Sequence, residues 1–200
     1  MGSGSFPGAG DIVTAYAASM EPWEPWQREY RFGVLLLYPP DPPLQAVNAL
    51  RDRHDPRGQS YCEAHISLTV PLPIPLTERH WAELELIASG IAPISVQYGP
   101  LMNYLPHPGV CLAIEPQTDI DDLRVALETA SAFEGARPRR YPFHAHMTIA
   151  EFITAEETET LMVELNDVAP EGCFLCTGVS YAVPNSAFHF IERRRLELAG

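Results

Sequence analysis

The 200-residue sequence contains no lysine: its 13 basic side chains are all arginine, set against 26 acidic ones, for a formal charge of −13. A chain this short of positive charge has no broad electrostatic grip on long nucleic acid, because such binding depends on cations neutralising many phosphates. The positive charge that remains is carried by planar, multi-donor guanidinium groups suited to phosphate. Cysteine is scarce as well. Cys62, Cys111, Cys173 and Cys176 are too few for a disulfide framework, and Cys173-x-x-Cys176 lacks the second pair that a zinc site needs. No long apolar run or signal peptide occurs, so a reducing cytoplasm is the expected location, with no membrane partner. With 46% hydrophobic residues the chain can bury one core unaided.

One short pattern occurs twice, as His65-Ile66-Ser67-Leu68 and His146-Met147-Thr148-Ile149. Side chains alternate along a strand, so His65 and Ser67 share one face while Ile66 and Leu68 take the other, and His146 and Thr148 repeat the arrangement. Two imidazoles near neutrality can act as general acid and general base, and two hydroxyls can hold the oxygens of a group between them. Those four side chains can cleave a phosphodiester without a metal or any other cofactor.

The surrounding periodicity supports a duplicated arrangement. Strands are expected at 31–38, 64–71, 93–98, 109–115, 144–151, 172–182 and 187–198, the last two joined by a turn through Pro184-Asn185-Ser186. Helices are expected at 44–53, at 77–89 behind Thr77, at 119–133 behind Thr118-x-x-Asp121, and behind the capping box Thr154-x-x-Glu157. Val34 precedes His65 by 31 residues and Leu112 precedes His146 by 34, with strand, helix and His strand in the same succession. If the halves pack about a pseudo-twofold axis, both His strands line one groove. Ahead of this lies an extension of residues 1–29. Its first ten residues are Gly- and Ser-rich and are expected to be disordered; Asp11 to Met20 reads as a short helix; the doubled Glu-Pro-Trp pins the segment to the body.

The paired His-x-Ser/Thr strands, the approach Arg139-Arg140-Tyr141-Pro142-Phe143 and the twofold β-α-β order resemble the 2H phosphoesterases, which include bacterial 2′-5′ RNA ligases and cyclic phosphodiesterases. The resemblance spans residues 30–198. It implies an α+β, bilobal fold: two pseudo-twofold-related antiparallel sheets, helices on the outer faces, and a central groove holding His65, Ser67, His146 and Thr148. The expected unit is a monomer with a single domain over 30–200, built of intertwined lobes at about 30–98 and 109–198. The resemblance also implies metal-independent action on 2′,3′-cyclic phosphates, 2′-5′ linkages or ADP-ribose cyclic phosphates, so the expected substrate is a small nucleotide or a nucleic-acid end. His65 and His146 would be catalytic, in acid and base roles left unassigned, with Ser67 and Thr148 binding phosphate.

Tyr98, Asn103, Tyr104 and Tyr181 are candidate stacking contacts, and Arg140 is a candidate phosphate contact beside Arg139. For this arginine pair a structural edge is an equal reading, and for Arg193, Arg194 and Arg195 the edge reading is preferred. The family often has Pro close before the second His, where this chain has Phe143-His144-Ala145. His144 shares a face with His146 and reads as a polar groove-edge residue; the His-x-His pair also keeps open a metal-dependent hydrolase. RNA 2′-5′ ligation and a non-catalytic nucleotide-binding module stay open too.

Overall fold

The computed structural model describes residues 11–104 and 107–200. The Gly- and Ser-rich leader expected to be disordered, residues 1–10, lies outside the described residues.

The described residues form eight strands, β1 (Val34–Leu37), β2 (Ile66–Ser67), β3 (Ile94–Asn103), β4 (Val110–Glu115), β5 (His146–Ala150), β6 (Gly172–Cys176), β7 (Gly178–Pro184) and β8 (Phe190–Glu197), and five α-helices. The helices are α1 (Pro43–His54), α2 (Pro56–Tyr61), α3 (Glu78–Ser89), α4 (Gln117–Glu128) and α5 (Ala155–Leu165). The strands form one antiparallel sheet in the order β6-β3-β4-β5-β2-β1-β7-β8. The expected two sheets are therefore halves of a single one, joined where β2 pairs with β5 at Ile66 and Met147. The order is symmetric about that seam, with a His strand innermost on either side and the strand that precedes it in the pattern next. The lobe boundaries change: β3 belongs to the second half, and β7 and β8 return to complete the first.

The expected single strand at 172–182 breaks at Thr177, and its two parts pair at opposite ends of the sheet, β6 with β3 and β7 with β1. Strands six places apart in a flat sheet would be separated by about 29 Å at ~4.8 Å per strand. One linking residue spans at most about 7.6 Å between its neighbours' Cα atoms. The sheet must therefore curl strongly.

The main core unites one sheet face, through Leu35, Leu37, Ile66, Leu68, Leu112, Met147 and Ile149, with Val47 of α1, Trp81 and Leu84 of α3, Leu123 and Leu127 of α4, and Leu161 of α5. A smaller cluster, Val34, Leu36, Cys62 and Ala182, occupies part of the other face. The capping residues read from the sequence start two helices: Thr77 accepts from the His80 amide at 3.3 Å, and Thr154 accepts from the Glu157 amide at 3.2 Å. The cap expected at Thr118 is not used. Helix α4 starts at Gln117, whose side chain is committed to the sheet instead.

The first His strand is shorter than its hydrophobic pattern. The Thr69 hydroxyl accepts the Leu35 amide at 3.1 Å, taking a ladder partner and ending the β1–β2 pairing. Asp11 to Met20 is not helical: Ile12 bridges Thr77, and the Val13 amide donates to the Leu76 carbonyl. A helix of ten residues is marginal alone, and these backbone partners displace it. Trp23 pins the extension as expected, its indole donating to the Ser186 carbonyl at 3.0 Å and packing edge-on against Phe188. No helix among the described residues is long and apolar enough to cross a membrane.

Candidate active site

The seam between the halves sets out the four polar side chains of the two motifs. Antiparallel pairing of Ile66 with Met147 brings His65 opposite Thr148 and Ser67 opposite His146, all on the face away from the main core. The rings thus occupy one diagonal of a square and the hydroxyls the other, with diagonal Cα separations of about 7–8 Å. That spacing leaves room for a phosphoryl group between two rings reaching inward from their strands.

Each ring is oriented in the same way. His65 Nδ1 donates to the Glu63 carbonyl and His146 Nδ1 to the His144 carbonyl, both at 2.7 Å and both two residues upstream. A carbonyl only accepts, so each Nδ1 carries the hydrogen and Nε2 is left with a lone pair for the site. The residue before each His is held too. The Asn48 carboxamide of α1 accepts from the Ala64 amide at 2.7 Å. The Gln117 carboxamide of α4 donates to the Ala145 carbonyl and accepts from its amide, both at 2.8 Å.

Burial dominates the electrostatics. His65 is pushed down to about 4, first by loss of hydration, then by the charges of Arg51 and His146, with the Glu63 carbonyl acting in the opposite direction. His146 is lowered by burial and by His144, against the carbonyl bond that favours its cation. Both rings keep partial contact with solvent, so the desolvation arises from protein crowding around them. Tyr104 lies over His146 with centroids 4.3 Å apart and planes at 41°, and Tyr38 meets His65 edge-on at 6.3 Å.

Helix α1 clamps β5 from below. Arg51, 2% exposed, donates to the Thr148 carbonyl at 2.8 Å, the Cys62 carbonyl at 3.1 Å and the Gln59 side chain at 3.0 Å. Asp55, one turn on, accepts from the Gly58 amide at 2.8 Å and the Glu151 amide at 3.2 Å. Sequence reasoning misses Arg51, Asp55, Asn48 and Gln117. The available signal is Arg51 itself, which continues the apolar stripe of Leu44 and Val47 with a charge.

The structure brings Tyr104 to the four-residue square, and leaves other expected contacts out. Tyr181 is fully buried on the core face, donating to the Phe32 carbonyl at 2.7 Å. Its pairing partner on β1 is Leu35, a core residue, which turns the phenol away from the site. Tyr98 also faces the core, tilted against Phe174 at 6.1 Å, because it shares a strand face with Ile94 and Val96. Asn103 ends β3, exposed and paired with Val110. Arg140 is exposed over Tyr141, which packs edge-on against His107, the ring tilted against Tyr104. Arg139 serves the fold, donating to the Leu68 carbonyl and to Glu128. Arg194 binds Glu78 and covers Trp81, as an edge residue.

His144 is exposed and contributes its carbonyl. Among the described residues, no three His, Cys, Asp or Glu side chains gather as a metal-binding group. Cys173 and Cys176 lie three apart in one strand and so face opposite ways, one exposed and one buried. Two surface hollows, one lined by Ile74, Arg79, His80, Ser131 and Glu134 and one by Ile12, residues 14–18 and Arg31, include none of the four site residues.

The family model described as the 2′-5′ RNA ligase superfamily matches residues 39–185. No curated protein matches the sequence. Among solved structures, Escherichia coli LigT complexed with 3′-AMP aligns with a TM-score of 0.56 and 17% identity, over 84% of this chain and 97% of LigT. LigT complexed with NADP+ aligns at 0.55 and 16%, over 84% and 96%. A protein of Thermus thermophilus aligns at 0.54 and 16%, over 84% and 97%. At these identities the likeness is one of fold.

Proposed function

The chain belongs to the 2′-5′ RNA ligase superfamily, and from that membership we propose that it is a metal-independent phosphodiesterase acting on a small cyclic phosphate or a 2′-5′-linked nucleotide. The observation that carries the reading is the diagonal His pair, each ring locked by an Nδ1–H bond to a carbonyl so that both Nε2 atoms serve one site.

On a 2′,3′-cyclic phosphate, one neutral Nε2 takes a proton from water as the water oxygen bonds to phosphorus. The other ring, protonated, gives its proton to the departing sugar oxygen as that P–O bond breaks, leaving a phosphomonoester. Ser67 and Thr148 donate hydrogen bonds to the non-bridging oxygens, whose charge changes toward the transition state. Burial favours the neutral form of both rings in the free protein. A bound phosphate anion opposes that shift and supplies the reason for one ring to hold a proton. Tyr104, tilted over His146, limits in this reading where a nucleobase can lie, and LigT structures with 3′-AMP and NADP+ support a nucleotide-sized ligand.

The test is a panel containing 2′,3′-cyclic mononucleotides, a 2′-5′ dinucleotide and an ADP-ribose cyclic phosphate, assayed in chelator with product isomers identified. Turnover of at least one member to a single monoester isomer is the expected result. Nucleotide binding with no turnover of any member would overturn the catalytic reading.

A further inference from the structure

A fully buried arginine without a carboxylate in contact is unusual, because an ionised side chain removed from water needs compensation. Arg51 is 2% exposed, and among the described residues it forms no ion pair. Its donors go to neutral acceptors: the Thr148 carbonyl in the second motif, the Cys62 carbonyl three residues before His65, and the Gln59 carboxamide. The Asp55 carboxylate accepts from the Gly58 and Glu151 amides instead, and the Glu151 carboxylate feels the Arg51 charge without an ion pair. One guanidinium therefore ties the backbones of both motif segments together, and its charge bears on His65.

Building on the phosphodiesterase reading of this site, we infer that Arg51 is a positioning residue that fixes the two motif strands against each other and supplies a buried positive field for a bound phosphate. Neutral partners matter to this role, since a carboxylate at the same place would cancel the field while keeping the geometry. The groups around the affected ring are Arg51 from α1, His146 from β5, Tyr38 beyond β1 and the Cys62 thiol, whose pKa burial raises to about 12. The carboxylates Glu63 and Glu192 bear on Tyr38 at the same corner. Of these, Arg51 is the largest charge acting on His65, and it opposes protonation of that ring.

The variant Gln59→Glu separates field from geometry, because a glutamate can accept the same bond from Arg51 Nε while placing a negative charge beside it. Ring resonances of His65 and His146 followed by NMR give a titration midpoint, and their response to inorganic phosphate gives an affinity; neither needs turnover. Gln59→Glu is expected to move the His65 midpoint up by about 0.5–1 pH unit and to weaken phosphate binding roughly three- to tenfold. Arg51→Lys, which keeps the charge and loses the fork, is expected to leave the His65 midpoint near wild type while lowering kcat on whichever panel substrate is turned over. An unchanged midpoint and an unchanged phosphate affinity in a folded Gln59→Glu protein would overturn the inference. A shifted midpoint in a protein that turns over no panel substrate would uphold Arg51's role and defeat the phosphodiesterase reading instead.

Discussion

At the scale of single residues, the proposed reaction asks two imidazoles with the same backbone anchor to do opposite jobs, and their removal should be far more costly to rate than to stability. His65→Ala and His146→Ala are each expected to lower kcat/KM by about 10²–10⁴-fold. Both rings are partly exposed on the face away from the main core, so thermal unfolding should move by no more than a few degrees. The pH dependence follows from burial. Because both rings are depressed in the free protein and one must carry a proton, the maximum of kcat/KM should fall on the acid side of 6.5, with kcat peaking at higher pH once a phosphate anion is bound. Sequence reasoning alone places this optimum near neutrality; the crowding that displaces it comes from residues distant in the chain. The same shift sets a stability trend. An unfolded His65 takes a proton near 6.5 while the folded one resists to about 4, so the unfolded state binds more protons across that window. Stability is therefore full above 6.5 and falls as the pH drops toward 4. Urea unfolding at pH 7 and pH 5 should show a smaller loss for His65→Gln than for the natural protein. The motif is legible because strand alternation alone sorts His and hydroxyl from the apolar residues. Arg51, Asn48 and Gln117 are not, since their partners are backbone groups of other elements.

At the scale of elements, helix starts are legible wherever a cap is local, as at Thr77 and Thr154, and hidden where a side chain has distant work. Thr118 offers a local cap, yet Gln117 opens α4 because its carboxamide completes the pairing around Ala145. Two substitutions separate these kinds of residue. Thr154→Ala removes a cap from α5 and should cost about 1 kcal/mol with no change in rate. Gln117→Ala should cost about 1–3 kcal/mol by leaving Ala145 unpaired, and should also lower kcat by releasing the residue before His146. Chemical denaturation and steady-state rates on the same preparations check both. Strand ends are harder to see. The alternating pattern of 172–182 continues through Thr177, and nothing in its hydrophobicity shows that its two parts join opposite ends of the sheet. Likewise the Thr69 hydroxyl, which stops β2, is one polar atom in an apolar run.

At the scale of the whole molecule, the duplicated order is visible in the sequence, but the unity of the sheet is not, because it rests on the single register pair Ile66–Met147 between segments far apart in the chain. The chain's return through β7 and β8 makes the halves interdependent. Truncation after Thr177 removes two of the four strands of the first half-sheet, and the remainder should lose cooperative unfolding in calorimetry. The formal charge of −13 favours a compact substrate over long RNA, whose binding would need many cationic contacts. The central claim is that two rings brought onto one diagonal by that seam act as an acid–base pair without metal. The most direct measurement is the initial rate of 2′,3′-cyclic AMP hydrolysis in excess chelator for the natural protein, His65→Ala and His146→Ala. The account predicts turnover by the natural protein and loss of at least about a hundredfold in each variant; full turnover by either variant would contradict it.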